Sequence, residues 1–429
     1  MALSDSIEIQ VSGPARGTIR PPGSKSITNR ALVCAALAQG TSTLSGVLDS
    51  EDTRVMIDSL GRLGIPVKHD ADAATAEVTG CAGRPTVGPE TDLYVANSGT
   101  SVRFLTALAT LAEGQIRLDG TQRMQERPIG DLLDALNQLG GDVRSQRSTG
   151  CPPVLVRARG LAGGTTHVAG NISSQFLSGL LMAAPCARSL VELIVEGQLV
   201  SKPYVEMTLA VMRSFGAAAA VKDFERFSIP APQTYSGTDY QIEPDASAAS
   251  YFFAAAAITG GQVTVEGLGR SSLQGDVAFC DCLQAMGCEV RWETDRITVA
   301  GRPLRGIEVN MNAISDTVQT LAAVALFADG PTRVTGVGHI RYKETDRIGA
   351  LATELRKLGA AVKEEDNGLT ITPARLRPAE IDTYEDHRMA MSLALVGLRQ
   401  LGVVIRNPGC TEKTYPRFFS DLKKVTTSA

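Results

Sequence analysis

The sequence lacks the patterns that mark metal-binding, membrane-spanning and secreted proteins. Its eight cysteines form no C-x-x-C pair, and no two of its four histidines lie within five residues of each other, so the usual zinc-ligand spacing is missing. No apolar stretch approaches the ~20 residues that a membrane span needs. No basic segment followed by an apolar block opens the chain, so we expect no signal peptide, no membrane association and a reducing, cytoplasmic location.

The chain also lacks an excess of positive charge. Its 42 Lys and Arg residues are outnumbered by 46 Asp and Glu residues, which gives a formal net charge of −4. Nucleic-acid binding through a generally basic surface is therefore not expected, although a local basic pocket is compatible with this balance. With 43% hydrophobic and 21% charged residues, the composition is that of a folded globular protein.

What the sequence does contain is an internal repeat. In each copy an apolar helix-length run is followed by a short β-type run that ends near Gly or Asn, and then by a second helix that usually closes on Gly. The starts are about 70 residues apart, since five intervals cover 386 − 27 = 359 residues. The pattern predicts an α/β fold of six units, each roughly βαβαββ. The first helices are predicted to begin near Ile27, Ser101, Ser173, Ala246, Ser315 and Asp386.

The breaks between repeats indicate how the units are grouped. Six units could close into one ring or form two groups of three. The most turn-rich breaks beside charged motifs are residues 20–23 and 239–245, so we place two chain crossovers there. The prediction is two similar domains of three repeats each, residues 1–22 plus 244–429 and residues 23–243, with the active site in the cleft between them.

Positive side chains occupy unusual places, the first turns of the repeated helices. Ser, Thr, Asp and Asn at these starts are ordinary N-caps. Lys25, Arg103 and Arg388, however, oppose the helix macrodipole, which favours anions at that end. The conflict disappears if the cation and the helix N-terminus bind the same external anion. Eight cations against two carboxylates leave 8 − 2 = 6 positive charges, which favours substrates rich in phosphate and carboxylate groups. The cations are Lys25, Arg30, Arg103, Arg127, Lys343, Arg347, Arg388 and Lys413, and the carboxylates are Asp316 and Glu344.

Seven motifs stand at these helix starts, and together they resemble one protein family. They are Pro-Gly-Ser-Lys-Ser at residues 22–26 with Asn29 and Arg30, Asn-Ser-Gly-Thr at 97–100, Glu-Arg-Pro at 126–128, Ser-Ser-Gln at 173–175, Ser-Lys-Pro-Tyr at 201–204, Lys-Glu-Thr-Asp-Arg at 343–347 and Asp-His-Arg at 386–388. In order and register they resemble the EPSP synthases (3-phosphoshikimate 1-carboxyvinyltransferases), which are enolpyruvyl transferases. The resemblance covers residues 22 to about 422, and it implies two inside-out α/β barrels of three βαβαββ repeats each.

The resemblance implies a reaction and the partners that go with it. The enolpyruvyl group of phosphoenolpyruvate is transferred to the 5-hydroxyl of shikimate 3-phosphate through a tetrahedral intermediate, and phosphate is released. This step belongs to the shikimate pathway of aromatic amino acid biosynthesis. It requires no metal and no cofactor. We further expect a monomer, with glyphosate as a competitive inhibitor.

The resemblance also implies roles for individual residues. Asp316 is the expected base and Glu344 the expected proton donor, with Lys25 and Lys413 as competing donors. The implied shikimate 3-phosphate site comprises Lys25, Ser26, Arg30, Ser173, Ser174, Gln175, Ser201, Tyr204, Asp316, His339 and Lys343. The implied phosphoenolpyruvate site comprises Lys25, Asn97, Gly99, Thr100, Arg127, Gln175, Arg347, His387, Arg388 and Lys413.

The chain departs from the family pattern at four positions and leaves two alternatives open. Ser98 and Ser101 replace the usual Ala and Phe104 replaces Pro, so the degree of glyphosate sensitivity is left open. His339 replaces an Asn of the family's shikimate 3-phosphate site, so the contact with this substrate at that position is also left open. One alternative is an enolpyruvyl transferase acting on UDP-N-acetylglucosamine, which typically has a reactive Cys in the loop that corresponds to residues 120–128. That loop contains no Cys here. The other is a non-catalytic binder of phosphorylated metabolites, which would need neither carboxylate.

Overall fold

A computed structural model describes residues 5–426, which form twelve α-helices and 23 β-strands. The helices are α1 (Lys25–Leu37), α2 (Glu51–Arg62), α3 (Gly99–Ala109), α4 (Gly130–Gln138), α5 (Ser174–Ala183), α6 (Lys202–Ser214), α7 (Ala246–Thr259), α8 (Phe279–Ala285), α9 (Val318–Ala325), α10 (Arg347–Lys357), α11 (His387–Gly397) and α12 (Phe418–Thr426). The strands are β1 (Ser6–Glu8), β2 (Arg16–Ile19), β3 (Thr41–Ser45), β4 (Val67–Asp70), β5 (Thr75–Thr79), β6 (Thr86–Tyr94), β7 (Glu113–Asp119), β8 (Val143–Ser145), β9 (Val154–Arg159), β10 (Gly164–Ala169), β11 (Val191–Glu196), β12 (Ala220–Lys222), β13 (Arg226–Ile229), β14 (Asp239–Gln241), β15 (Gln262–Glu266), β16 (Glu289–Trp292), β17 (Arg296–Ala300), β18 (Glu308–Asn310), β19 (Thr332–Thr335), β20 (Ala361–Glu365), β21 (Gly368–Thr372), β22 (Ala379–Ile381) and β23 (Val403–Arg406).

Each repeat forms its own small sheet. In the second repeat the strand order is β6-β7-β9-β8, with β6 parallel to β7 across helix α3 and the remaining pairs antiparallel. The sheets β10-β11-β13-β12 and β18-β19-β21-β20 have the same order and the same mixture of parallel and antiparallel pairs. The predicted α/β fold of βαβαββ repeats is therefore confirmed.

The other three sheets are completed by strands that are distant in sequence. Strand β14 supplies the parallel partner of β3, so the first repeat is closed by residues 239–241. Strand β2 is the parallel partner of β15 in the fourth repeat, and β1 pairs antiparallel with β23 in the sixth. The chain therefore enters one set of repeats, leaves to build the other and returns.

The chain divides into two compact units. Unit 1 contains the residues up to Pro22 together with those from Glu243 onward, and unit 2 runs from Gly23 to Ile242. Unit 2 therefore ends at Ile242, one residue before the predicted end of the domain at residue 243. The division into domains, and the cleft between them as the location of the active site, stay predictions.

The first helix of each repeat is buried along nearly its whole length. All fourteen residues of α7 are buried, and α3 is buried throughout. Helices that are apolar all round lie in a core, whereas α2 and α12 bury one face only. In unit 1 the hydroxyls of Ser250 and Ser392 lie 3.1 and 3.3 Å from that of Thr320, so the three inner helices meet through polar groups. None of the helices within residues 5–426 combines the length and hydrophobicity that crossing a bilayer requires.

The predicted helix ends are also confirmed. After α2 the chain turns through Gly64 at φ 76°, and after α10 it turns through Gly359 at φ 106°. A side chain at Gly64 would place its Cβ 2.3 Å from the carbonyl oxygen of Thr86. Only glycine meets both requirements, the left-handed backbone and the close approach.

Candidate active site

Side-chain caps hold the starts of five of the six buried helices. Each cap oxygen accepts a hydrogen bond from a backbone N–H of the first turn, at 2.8–3.4 Å. Before α9 the chain instead forms a 3₁₀ segment, Asn312–Thr317, broken by non-helical angles at Ile314. The interpretation of the polar residues as caps is correct for these five. They are Ser24, Ser98, Ser173, Asp245 and Asp386.

In unit 2 the amide of Gln175 joins two helix starts. Its Oε1 accepts a hydrogen bond from Arg103 Nη1 at 3.0 Å, and its Nε2 donates to Thr100 Oγ1 at 3.1 Å. Arg103 also donates to the carbonyl oxygen of Pro128 at 3.0 Å. The starts of α3 and α5 and the loop before α4 are thereby fixed to one another.

Arg127 lies against the same helix start. Its Nη1 donates to the carbonyl oxygen and to Oδ1 of Asn97, at 2.9 and 3.2 Å. A Cβ at Gly99 would lie 2.3 Å from Arg127 Nη2 and 2.6 Å from Arg103 Nη1. Both guanidinium groups therefore occupy the space that any side chain at this position would need.

Arg30 is buried and engaged within unit 2. Its Nε donates to Thr208 Oγ1 at 2.7 Å, its Nη2 donates to Ser178 Oγ at 3.2 Å, and two further hydrogen bonds reach carbonyl oxygens in α1 and α6. Its Cζ lies 5.1 Å from the ring centre of Phe104. Burial lowers the pKa of Arg30 to about 10, so it stays charged at neutral pH. Arg30 thus ties α1 to α5 and α6.

The remaining unit 2 candidates lie around the starts of α1, α5 and α6. Lys25 is almost buried, and its Nζ lies 3.2 Å from Asp52 Oδ2 in the first turn of α2. Ser201 precedes α6 in the left-handed conformation, at φ 54°. Unit 2 contains twelve of the predicted site residues, Lys25, Ser26, Arg30, Asn97, Gly99, Thr100, Arg127, Ser173, Ser174, Gln175, Ser201 and Tyr204.

In unit 1, Asp316 is the centre of a charge cluster. Its Oδ1 lies 2.5 Å from Lys343 Nζ and 3.1 Å from Arg347 Nη1, and its Oδ2 lies 2.8 Å from Arg388 Nη2. Burial alone would raise the pKa of Asp316, but the charges of Arg388, Lys343 and Arg347 hold it well below its ordinary value. The carboxylate is therefore ionised and pinned by three cations.

Arg347 is the second centre of this cluster. It is 1% exposed and binds Asp386 through Nε and Nη2, at 2.7 and 3.1 Å. Its Nη2 also donates to Glu344 Oε2 at 2.8 Å, and Lys413 Nζ lies 4.0 Å from the other Glu344 oxygen. The same Asp386 carboxylate caps α11 through the N–H of Arg388. One fully buried carboxylate therefore binds the guanidinium group of Arg347 and the backbone N–H of Arg388.

Both candidate histidines of unit 1 are buried. Burial and the charge of Lys343 lower the pKa of His339 to about 3, which leaves its imidazole neutral at physiological pH. His387 is the first residue of α11, 1% exposed, with its Nδ1 3.7 Å from Asp386. Unit 1 contains eight of the predicted site residues, Asp316, His339, Lys343, Glu344, Arg347, His387, Arg388 and Lys413.

The contacts reduce the excess of positive charge that the sequence indicated. Asp52 pairs with Lys25, and Asp386 pairs with Arg347, but neither was counted among the acids. With both included the difference becomes 8 − 4 = 4, so the count of six was too high. Asp386 was recognisable in the sequence as a predicted helix cap. Nothing in the sequence marked Asp52 as a partner of Lys25 except its place in the first turn of α2.

Known proteins are similar to this chain over nearly its whole length. The family model for EPSP synthase (3-phosphoshikimate 1-carboxyvinyltransferase) matches residues 9–422. A 3-phosphoshikimate 1-carboxyvinyltransferase of Shewanella sp. strain ANA-3 is 48% identical over 412 residues, which are 96% of this chain and 97% of the relative. The chloroplastic 3-phosphoshikimate 1-carboxyvinyltransferase of Brassica napus is 49% identical over 96% of this chain and 83% of its own. The fold matches an EPSP synthase of Acinetobacter baumannii with a TM-score of 0.83, at 24% identity and 98% coverage of both chains. This chain belongs to the EPSP synthase family.

Proposed function

We propose that this chain is a 3-phosphoshikimate 1-carboxyvinyltransferase. It transfers the enolpyruvyl group of phosphoenolpyruvate to the 5-hydroxyl of shikimate 3-phosphate and releases phosphate, as a step of the shikimate pathway of aromatic amino acid biosynthesis. The chain belongs to the EPSP synthase family, and buried Lys and Arg side chains lie at helix starts in both of its units. These buried cations are the observation that supports the proposal. Such groups suit two small substrates that both carry phosphate and carboxylate charges.

The two proposed substrate sites share Lys25 and Gln175 and otherwise use different residues. The shikimate 3-phosphate site consists of Lys25, Ser26, Arg30, Ser173, Ser174, Gln175, Ser201, Tyr204, Asp316, His339 and Lys343. The phosphoenolpyruvate site consists of Lys25, Asn97, Gly99, Thr100, Arg127, Gln175, Arg347, His387, Arg388 and Lys413. Arg30 already donates to four protein oxygens, so it acts on the bound shikimate 3-phosphate mainly through its charge.

The reaction consists of an addition and an elimination. Asp316 takes the proton of the 5-hydroxyl as its oxygen bonds to C2 of phosphoenolpyruvate, and a proton is delivered to the methylene carbon. The tetrahedral intermediate then loses phosphate from C2 and a proton from the new methyl group, which restores the double bond. The surrounding cations stabilise the charge that develops on the departing phosphate.

Glu344 is the first candidate for the proton delivery. Its hydrogen bond to Arg347 at 2.8 Å and its distance of 4.0 Å from Lys413 favour the ionised carboxylate over the protonated one. Lys25 and Lys413 therefore remain competing donors. The protein acts as a monomer in the cytoplasm, uses no metal or cofactor, and binds glyphosate in competition with phosphoenolpyruvate.

Product analysis tests the proposal directly. Incubation with shikimate 3-phosphate and phosphoenolpyruvate is expected to release one phosphate per product, with the product mass equal to shikimate 3-phosphate plus the enolpyruvyl group. A parallel incubation with UDP-N-acetylglucosamine in place of shikimate 3-phosphate is expected to release none. Binding of both substrates without phosphate release would support the non-catalytic alternative. Asp316→Ala is expected to lower kcat by at least ~100-fold, the usual range for a general base, while binding of phosphoenolpyruvate persists.

A further inference from the structure

A further buried carboxyl, Asp276, lies beside the Asp316 cluster and has no part in the reaction as described so far. It is 4% exposed and belongs to the 3₁₀ segment Gly275–Ala278. That segment packs against α7 and against the segment Asn312–Thr317, which carries Asp316. Two acids are therefore brought near each other on neighbouring 3₁₀ segments.

Helix α7 contacts Asp276 through one side chain and Arg388, a partner of Asp316, through another. The hydroxyl of Ser247 donates a short hydrogen bond to Asp276. One turn later, the Tyr251 hydroxyl lies 3.5 Å from Nη1 of Arg388, whose Nη2 contacts Asp316 at 2.8 Å. Two polar contacts thus lie one turn apart on the same face of α7, one to Asp276 and one to Arg388, which in turn contacts Asp316.

The position of Asp276 is fixed by its neighbours in the chain. Gln274, two residues earlier, donates to the carbonyl oxygen of Pro244 at 2.7 Å and accepts from the N–H of Ala246 at 2.9 Å. Both contacts tie the loop to the start of α7. The loop that carries Asp276 is therefore fixed against the start of α7, and this contact holds Asp276 in its buried position.

The surroundings of Asp276 favour its protonated form more than water does. Burial first, and then the charge of Asp316, raise its pKa to about 6, while Ser247 and Arg388 oppose the shift and the α7 cap Asp245 adds to it. Ser247 and the cap Asp245 belong to the start of α7, Asp316 lies on the segment Asn312–Thr317, and Arg388 lies on α11. On α8, which also packs against this segment, Asp281 is exposed.

The arrangement addresses a difficulty in the proposed reaction. A carboxylate pinned by three cations binds a proton weakly, and so Asp316 by itself is a poor acceptor for a hydroxyl proton. A second anion nearby increases proton affinity, because like charges disfavour each other's ionised forms. It also attracts Arg388 and weakens the hold of that arginine on Asp316.

We propose that Asp276 is a positioning residue for this reaction: its ionised carboxylate offsets the charge of Arg388 and so enables Asp316 to accept the proton of the 5-hydroxyl. The inference rests on the proposed function. It assigns a role in that reaction to a residue that does not contact the substrates. Asp276 acts through Arg388 and Asp316 alone.

The test is the pH dependence of kcat at saturating substrate, between pH 5 and pH 9, for the wild type and Asp276→Asn. Asparagine has the shape of aspartate and keeps an oxygen for the Ser247 hydrogen bond. The wild type is expected to lose activity below about pH 6, where Asp276 becomes protonated. In Asp276→Asn this acid limb is expected to be absent, and kcat at pH 7.5 is expected to fall by about tenfold or more, within the range of general-base effects. The KM values should change by less than about threefold, since no substrate contact is lost.

Two further variants separate this role from a structural one. Ser247→Ala removes the hydrogen bond that favours ionised Asp276, so the acid limb should move to higher pH. Asp281→Asn, an exposed change one segment away, should leave the profile unchanged. If Asp276→Asn does not fold, a displaced limb in Ser247→Ala still supports the inference, and an unmoved limb overturns it.

The outcomes also distinguish this inference from the proposed function. The phosphate groups of the substrates titrate in the same pH range as the expected acid limb. If Asp276→Asn still loses activity at low pH, the limb arises from these phosphates, and the proposed role of Asp276 is wrong. An active wild type with that result leaves the proposed function intact. A wild type that makes no product overturns both.

Discussion

At the residue scale, Gly99 lies in a closely confined environment, because two arginine side chains occupy the space beside its Cα. The two guanidinium groups that lie within 2.6 Å of its would-be Cβ are the ends of flexible side chains. A larger residue would therefore displace Arg127 and Arg103 while the fold persists. Arg127 belongs to the proposed phosphoenolpyruvate site. The position of its guanidinium group in that site therefore depends on the absence of a side chain at Gly99.

Gly99→Ala is expected to raise the KM for phosphoenolpyruvate by about tenfold or more, equivalent to ~1.4 kcal/mol of lost binding, with a smaller effect on the KM for shikimate 3-phosphate. Steady-state kinetics with each substrate varied in turn measure both values. Gly61→Ala is the matched control, since no atom lies within 4 Å of its would-be Cβ. An unchanged KM would mean that Arg127 does not bind this substrate.

His339 provides a residue-scale test that does not depend on activity. Its pKa is about 3 in the folded protein and about 6.5 in an unfolded chain, so the unfolded state binds the extra proton between these values. The wild type should therefore lose about 2 kcal/mol of stability from His339 between pH 7.5 and pH 5, and His339→Asn should not lose this amount. Urea unfolding of both proteins at the two pH values measures the difference, and equal losses would contradict a buried, neutral imidazole.

At the scale of elements, Asp386 links α10 and α11. Asp386→Ala leaves Arg347 buried without its bidentate partner and removes the cap of α11. Loss of one partner of a buried ion pair costs about 3–5 kcal/mol, so unfolding in urea should shift by at least that amount. Asp346→Ala, which removes the exposed cap of α10, is the control and should cost about 1 kcal/mol. Equal effects would contradict the linking role.

The elements also show what a sequence can and cannot predict. The first helices and the Gly-terminated second helices were predictable because caps, apolar runs and left-handed turns are local signals. Strands β1, β2 and β14 were not identified, because each has only three or four residues and pairs with a strand far along the chain. The pairing of Asp52 with Lys25 and the burial of Asp276 were missed for the same reason, since such contacts depend on how separate elements pack.

At the scale of the whole molecule, residues 5–22 belong to the same compact unit as the chain from Glu243 onward. Deletion of residues 1–22 removes one of the two neighbouring strands of β15 and of β23, and so leaves each of them at the edge of its sheet in unit 1. Hydrogen exchange is expected to show faster exchange in these two strands, while the strands of unit 2 keep their protection. A deletion that raises exchange equally in both units would contradict the division into separate compact units.

The long-range pairing of β2 also sets an order of events during translation. Ile19 leaves the ribosome 262 − 19 = 243 residues before the first residue of its partner strand β15. At roughly 5–20 residues per second, this corresponds to a delay of ~12–50 s. Every strand and helix of unit 2 is synthesised within that interval. The nascent chain can therefore complete its second compact unit while its earliest segment still awaits a place in a sheet.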